Sequence, residues 1–301
     1  MNINDKRIMM LWPDKGEFLP KEINKQSDKI DVMTLYKPCG LIRRCIRKFC
    51  VRFVILLTFF LDDWPNKMND YDVILIHANE LNRKLPKWLV RRGYKNRIIY
   101  WYWNPVVACI NPRKIDRKFC EIWSFDPKDC ENYKMKYNTT YYLSSIKPQK
   151  RNIKFDVFFV GQDKGRYKLL QNLKIEMIKQ NLTVDFHITK DKTSTAKGEY
   201  TNKISYDEVL QRIEESRSIL DIVQNQQSGQ TLRAMEALFF SKKLITNNLS
   251  IMKMEFYHSN NIFLIGVDKI ESLKAFLLAP YHKINQEVIQ KYDFNQWIKR
   301  F

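Results

Sequence analysis

The stretch "QNQQSGQTLRAMEALFFSKKLITNN", Gln224 to Asn248, opens on polar and small residues, becomes an apolar-patterned helix and closes on a short apolar run followed by two Asn. Leu232, Met235 and Phe239 recur at i, i+3 and i+7 and share one helical face, while Arg233 and Glu236 share another. The run Ile219–Val223 stands before the stretch, and its last apolar run is Lys243–Thr246. Strand, polar loop, amphipathic helix, strand is the repeating unit of a parallel α/β sheet.

The same rhythm extends in both directions. Towards the N-terminus, strands are predicted at Arg7–Trp12, Asp31–Tyr36, Tyr71–His77, Arg97–Trp103, Cys120–Phe125 and Thr140–Leu143, with a short helix around Lys87–Arg92 closed by Gly93. The polar, Pro-containing segment Ser144–Lys154 reads as a linker. The pattern then restarts with strand Phe155–Val160, turn Gly161–Arg166, helix Tyr167–Asn181 and strand Thr183–Ile188. A capping-box sequence, Ser205 with Glu208, opens a helix that carries Val209, Ile213 and Ser216 on one face. Ile262–Ile265 is a further strand, and a last helix runs from about Gln286 to the end. The expectation is α/β throughout: two αβα domains, residues 1–148 and 149–301, with a crevice between them.

The chain has 301 residues, 45% of them hydrophobic, enough for sizeable cores. Its 52 Lys+Arg against 33 Asp+Glu give +19, which points to an anionic partner. The six Cys form no C-x-x-C pair and do not cluster with the four His, so no zinc site is expected. The polar start MNINDKR has no apolar leader core, and a reducing cytoplasm is the expected setting. In "GLIRRCIRKFCVRFVILLTFFLDDWP", Gly40 to Pro65, the uncharged run Phe53–Leu61 is far shorter than the about 20 residues of a spanning helix. Arg43, Arg44, Arg47, Lys48 and Arg52 precede it, a pattern that suits either a helix lying on an anionic membrane surface or a core helix with a basic outer face.

Two loops carry the chemistry expected of the second half. Ligands of open α/β sheets bind beyond the carboxyl ends of strands. The loop Asn225–Gly229 lies there, with Gln227 in it; Ser228 is placed to cap the helix, and Gly229 allows close backbone approach. A helix start attracts phosphate through its unbonded N–H groups, so Gln230, Thr231 and Arg233 are expected near an anion and Glu236 near ribose hydroxyls, against the plainer reading of an i,i+3 surface ion pair. In "VFFVGQDKGRY", Gly161 follows a buried strand, and Lys164 and Arg166 flank Gly165 at the next helix start, a second strand–Gly–helix pocket with cations. In the first half, His77 and Glu80 at the end of strand Tyr71–His77 are the candidates for a base acting on an acceptor hydroxyl. Tyr100, Trp101, Tyr102 and Trp103 offer either stacking surfaces for a sugar or core.

On these residues the chain resembles the GT-B glycosyltransferases, in particular bacterial enzymes of capsule and lipopolysaccharide (O-antigen) assembly. "FFVGQDKGR" and "SGQTLRAMEALFFSKKLITNN" are similar to the donor-binding segments of that family. The resemblance implies two Rossmann-like domains: a C-terminal one holding a nucleotide-sugar and an N-terminal one facing the acceptor. It further implies that Gly229, Gln230 and Thr231 line the diphosphate, Glu236 holds the ribose and Arg166 approaches the phosphates. Many retaining members carry two Glu eight apart; here Glu236 stands and position 228 is Ser. Neither a metal nor another cofactor is expected. The formal Asp-x-Asp match, Asp70 and Asp72, falls at the entry of a strand rather than its exit, and Asp62 and Asp63 are adjacent, so on a strand they point apart. The expected function is sugar transfer from a nucleotide-sugar to an oligosaccharide or lipid-linked acceptor in surface polysaccharide synthesis, peripheral at the inner face of the membrane. The alternatives are transfer of another nucleotide-activated group such as a polyol phosphate, and a non-enzymatic nucleic-acid-binding protein. No RNP, KH, zinc-finger or helix-turn-helix pattern supports the last, so nucleic acid is not the expected partner.

Overall fold

Short runs rich in Ile, Val and aromatic residues form strands buried on both faces, as parallel sheets covered by helices require. The computed structural model describes residues 5–13, 18–53, 57–195, 198–224 and 227–301, with Leu41, Arg52 and Phe53 described in backbone alone. Residues 54–56 and Asn225, which entered the sequence reading, lie outside the described residues. The chain divides into two units, Met1–Thr139 with Phe294–Phe301, and Thr140–Asp293.

In the first unit the elements run β1 (Ile8–Trp12), α1 (Leu19–Asn24), β2 (Ile30–Thr34), α2 (Leu41–Phe53), α3 (Leu57–Phe60), β3 (Val73–His77), α4 (Leu85–Arg91), β4 (Arg97–Tyr102), β5 (Glu121–Ser124), α5 (Pro127–Tyr133) and β6 (Lys136–Tyr137). The strands form one parallel sheet in the order β2-β1-β3-β4-β5-β6. In the second unit come β7 (Phe155–Gln162), α6 (Tyr167–Lys179), β8 (Val184–Thr189), α7 (Tyr206–Glu214), β9 (Ser216–Asp221), α8 (Leu232–Phe239), β10 (Lys243–Thr246), β11 (Ile262–Leu264), α9 (Leu273–Leu278) and α10 (Gln286–Gln290). Their parallel sheet has the order β11-β10-β9-β7-β8. Each unit is Rossmann-like, an α/β layer structure. In each, the first strand lies between its successors, so the winding reverses at β1/β3 and at β7/β9, the places where such sheets bind ligands.

Several boundaries differ from the sequence reading, each for a physical reason. The units divide at Thr139/Thr140, not at 148/149, because the expected linker is fixed to the second unit: Gln149 N and Arg151 Nε donate to Glu214 at 2.6 and 2.8 Å, and Lys154 pairs with Glu215 at 2.8 Å. Thr140–Leu143 is no sheet strand. Tyr142 bridges only to Asp293, its N–H donating to Tyr292 O at 2.9 Å. That bridge also interrupts the last helix: the chain leaves α10 at Gln290, passes through the bridge and restarts as α11 (Phe294–Trp297).

From there the C-terminus belongs to the first unit. Trp297 is fully buried 5.3 Å from Trp101, and Phe301 packs 4.9 Å from Trp123. Asp62 and Asp63 stand before a 3-10 turn, Trp64–Asp70, not on a strand. Asp72 accepts from Arg7 N at 2.9 Å and from Lys6 Nζ at 3.3 Å, the strand-entry role expected of it.

Candidate functional site

At the β7/β9 switch point the ends of two strands are fastened together by Arg166. Its Nε and Nη2 donate to Asp163 O and Gln162 O at 3.2 and 2.7 Å, and its Nη1 donates to Ile222 O, just past β9. The guanidinium folds back along Gly161: a Cβ there would stand 3.2 Å from Nη2, so a side chain at this position would press on Arg166. Asp163, buried, accepts from Tyr167 N at 3.0 Å and from Tyr200 Oη at 2.8 Å, which fixes the start of α6. Lys164 and Gly165 turn in the left-handed region, at φ 49° and 75°; Lys164 N donates to Asp191 at 2.9 Å and its side chain stays exposed. Arg166 thus commits three of its five N–H donors to carbonyls and acts as a clip, while Lys164 is the more exposed cation of this loop.

The loop between β9 and α8 is held from behind. Ser250 Oγ donates to Ser228 O at 2.5 Å, Asn248 Nδ2 and Gln227 Nε2 each reach Gly229 O at 3.2 Å, and Thr140 Oγ1 donates to Gln230 O at 2.6 Å. In a trans peptide the C=O of one residue and the N–H of the next point in opposite directions. Tying three successive carbonyls inward turns the N–H groups of Gly229, Gln230 and Thr231 away from those side chains. The N-cap is Thr231 rather than Ser228: Thr231 Oγ1 accepts from Ala234 N at 3.2 Å and donates to Asp221 Oδ2 at 2.9 Å. Asp221 is buried at the end of β9, and burial raises its carboxyl above the usual range. Leu232 and Arg233, in the first turn, have no intrahelical acceptor for their N–H groups. The N–H groups of Gln230, Thr231, Leu232 and Arg233 and the positive end of α8 so fall at one place suited to an anion.

Deeper in α8 the surface ion-pair reading fails. Glu236 is fully buried; its Oε2 lies 2.5 Å from Arg233 Nη1, and its Oε1 accepts from Tyr206 Oη at 2.7 Å, with Tyr142 Oη 3.0 Å further on. The contact with Arg233 is close but not aligned as a hydrogen bond. Burial, opposed by Arg233 and Tyr206, raises the Glu236 carboxyl to about 7. For a ribose hydroxyl to reach this carboxylate, the Tyr206 hydroxyl or the Arg233 guanidinium has to give way.

In the first unit, His77 is buried at the carboxyl end of β3, with Nδ1 3.3 Å from Leu11 O. Burial lowers its pKa to about 4, far from the near-neutral value that suits a general base. With Nδ1 turned to the Leu11 carbonyl, His77 offers Nε2 as a hydrogen-bond acceptor. Glu80 is not beside it in any hydrogen bond: Glu80 pairs with Arg83 at 3.0 Å and is 63% exposed. On α2, Arg43, Arg44 and Lys48 are exposed, Arg47 lies 4.6 Å over the Tyr36 ring, and the Arg52 side chain is outside the described residues. Leu57, Phe60 and Leu61 are core, whereas Ile42, Ile46 and Phe49 on α2 are exposed, as is Phe59. Among the described residues, exposed apolar surface thus sits on the basic helix itself as well as at Phe59 after it.

The sequence reading missed Asp221, Tyr206, Thr140, Asn248 and Ser250. Asp221 had a visible signal, a lone acid within an apolar strand; the others act through contacts that only the fold creates.

No protein-family model matches the sequence, and neither does any curated protein. Solved structures do match in fold. An α-glucosyltransferase in complex with UDP and a 13-mer DNA aligns over 98% of this chain and 95% of its own, with TM-score 0.56 and 10% identity. The Anabaena protein Alr3699/HepE in complex with UDP-glucose aligns over 98% and 94%, with TM-score 0.54 and 9% identity. Sucrose-phosphate synthase from Thermosynechococcus elongatus aligns over 98% and 82%, with TM-score 0.53 and 10% identity. The chain has the two-domain fold of the GT-B glycosyltransferases.

Glu236 generates a pH prediction. Its folded-state carboxyl titrates at about 7, above the ordinary 4.5. The folded protein holds this proton more tightly than the unfolded chain, so the contribution is complete below about pH 4.5 and is lost as pH rises through 7, by roughly 3 kcal/mol in all. Glu236→Gln cannot ionise. Urea midpoints of both proteins at pH 5 and pH 8 should show the variant gaining on the wild type at the higher pH; an equal difference at both pH values contradicts the assignment.

Proposed function

We propose that the protein is a glycosyltransferase that takes a sugar from a nucleotide-sugar. The observation that carries this reading is the β9–α8 loop, whose carbonyls are bound from behind so that consecutive N–H groups meet at a helix start. Such a preorganised set of donors is what a departing nucleoside diphosphate needs, since its charge grows as the glycosidic bond breaks. The donor site comprises Gly161, Lys164 and Gln227–Arg233, with Arg166 holding the two strand ends in place and Glu236 meeting the ribose once Tyr206 yields. UDP is the first nucleotide to test, because fold neighbours are described with UDP or UDP-glucose. The reaction is metal-independent in this account: the loop N–H groups and Lys164 supply the positive field, and Asp72 is occupied by Arg7 and Lys6. A panel of nucleotide-sugars in a thermal-shift assay tests the donor. A true donor at ~100 times its dissociation constant adds about 2.7 kcal/mol of stability, and the shift should persist in excess EDTA. No shift from any member, or one that needs magnesium or manganese, refutes this account of the donor site.

The acceptor is a lipid-linked saccharide in surface polysaccharide or lipopolysaccharide assembly, reached from the cytoplasmic face of the membrane. Support comes from α2. Ile42, Ile46 and Phe49 recur at i, i+4 and i+7 and are 79%, 49% and 62% exposed, beside Arg43, Arg44 and Lys48. An exposed apolar stripe flanked by cations lies favourably in an anionic interface, each cation contributing about 1 kcal/mol. Among the described residues no helix is long and apolar enough to cross a membrane. The second reading is a nucleic-acid acceptor, which the +19 charge and a fold neighbour holding DNA bring forward. Sedimentation with anionic liposomes should succeed for the wild type and fail for the variant with Arg43, Arg44 and Lys48 changed to Gln. Equal sedimentation of both, or salt-resistant retention on DNA instead, defeats the membrane reading.

A further inference from the structure

We propose that Trp12, His77 and Trp103 form a saccharide-binding subsite at the carboxyl edge of the first unit's sheet, in which His77 Nε2 accepts a hydrogen bond from a pyranose hydroxyl and the indoles stack on the sugar's C–H faces. The inference rests on the glycosyltransferase reading above and specifies the chemistry of its acceptor side.

The placement comes first. Trp12 ends β1, His77 ends β3, and Trp103 follows β4 directly. β1 pairs with β3 in parallel, Leu11 opposite Ile76, so Trp12 and His77 straddle the point where the winding of this sheet reverses. The rings meet edge to face: Trp12 lies 4.4 Å from His77, Trp103 lies 5.8 Å from His77, and the two indoles are 6.0 Å apart. Tyr100, Trp101 and Tyr102, the other aromatic residues of that strand, are core; only Trp103 among them is part-exposed.

The chemistry follows from the imidazole. Nδ1 faces the Leu11 carbonyl, which can only accept, so Nδ1 carries the hydrogen and Nε2 carries the lone pair. His77 is 6% exposed, and among the described residues its Nε2 has no hydrogen-bond partner. Native structures leave few buried polar atoms unbonded, and those that remain mark strain or a ligand's place. A lone-pair acceptor repels carboxylate and phosphate. It welcomes an O–H donor, or an ammonium, which indoles would also attract. The +19 charge of the chain opposes the ammonium. What remains is a neutral O–H carried on an apolar, flat-sided body, the description of a pyranose. Trp12 and Trp103 flank the imidazole and are both part-exposed, so a sugar can reach these rings from solvent.

The test uses the full chain labelled with 15N and methyl pyranosides of glucose, galactose, mannose and N-acetylglucosamine as probes. At least one should move the indole signals of Trp12 and Trp103 together with the imidazole signals of His77. His77→Ala and Trp12→Ala should each weaken that binding by roughly tenfold or more, while the thermal shift given by a nucleotide-sugar stays as in the wild type. Wild-type signals unmoved by every pyranoside overturn the subsite even if the nucleotide-sugar still binds. The same signals answering tetramethylammonium and no pyranoside overturn it too. Should a variant fail to fold, the wild-type titration decides. Loss of nucleotide-sugar binding in the wild type with pyranoside binding intact would overturn the donor reading instead.

Discussion

The Thr231 hydroxyl joins two elements on which the site depends. It donates to Asp221 at the end of β9 and accepts from Ala234 N in the first turn of α8. A buried carboxylate is costly unless hydrogen-bonded, and Asp221 is therefore tied to the helix that follows its strand. With the helix start located by this bond, Asn248, Ser250 and Thr140 fix the intervening carbonyls, and the N–H groups fall into one direction. Arg166 performs the matching task on the other side of the switch point, fastening the exits of β7 and β9. The polar groups of this edge are mostly bonded to one another, so a ligand meets a preformed surface and little ordering remains to be done on binding.

The two units apply the same topology to different chemistry. At the β7/β9 switch point the edge presents N–H donors, a helix dipole and an exposed lysine. At β1/β3 the described residues present two indoles and an imidazole lone pair. The proposed pairing of a diphosphate-bearing donor with a hydroxyl-bearing acceptor would use that contrast. In the proposed donor site, the Glu236 carboxylate is already held by Tyr206 and Arg233, so a ribose would have to displace one of them.

Much of this was legible in the sequence because it rests on local pattern. Apolar runs of strand length and the capping box at Ser205–Glu208 appear where the spacing places them. The strand–Gly–helix segments lie on both sides of the β7/β9 switch point, as the sequence placed them. What failed depends on distant contacts. Ser228 looked like the cap, but Asp221 selects Thr231. The final helix looked continuous, but the Tyr142–Asp293 bridge divides it. Arg166 also fastens three carbonyls that no one-dimensional pattern brings together. For Arg233 and Glu236 the sequence left a surface ion pair open beside the ligand reading, because spacing gives a face and not what covers it; burial of Glu236 removes the surface pair.

The central claim is that the β9–α8 loop holds a nucleoside diphosphate through backbone N–H groups. Amide spectra of the 15N-labelled protein titrated with UDP test it most directly. The account predicts that the amides of Gln230, Thr231, Leu232 and Arg233 move first and furthest. Saturable UDP binding with those amides unmoved would contradict it.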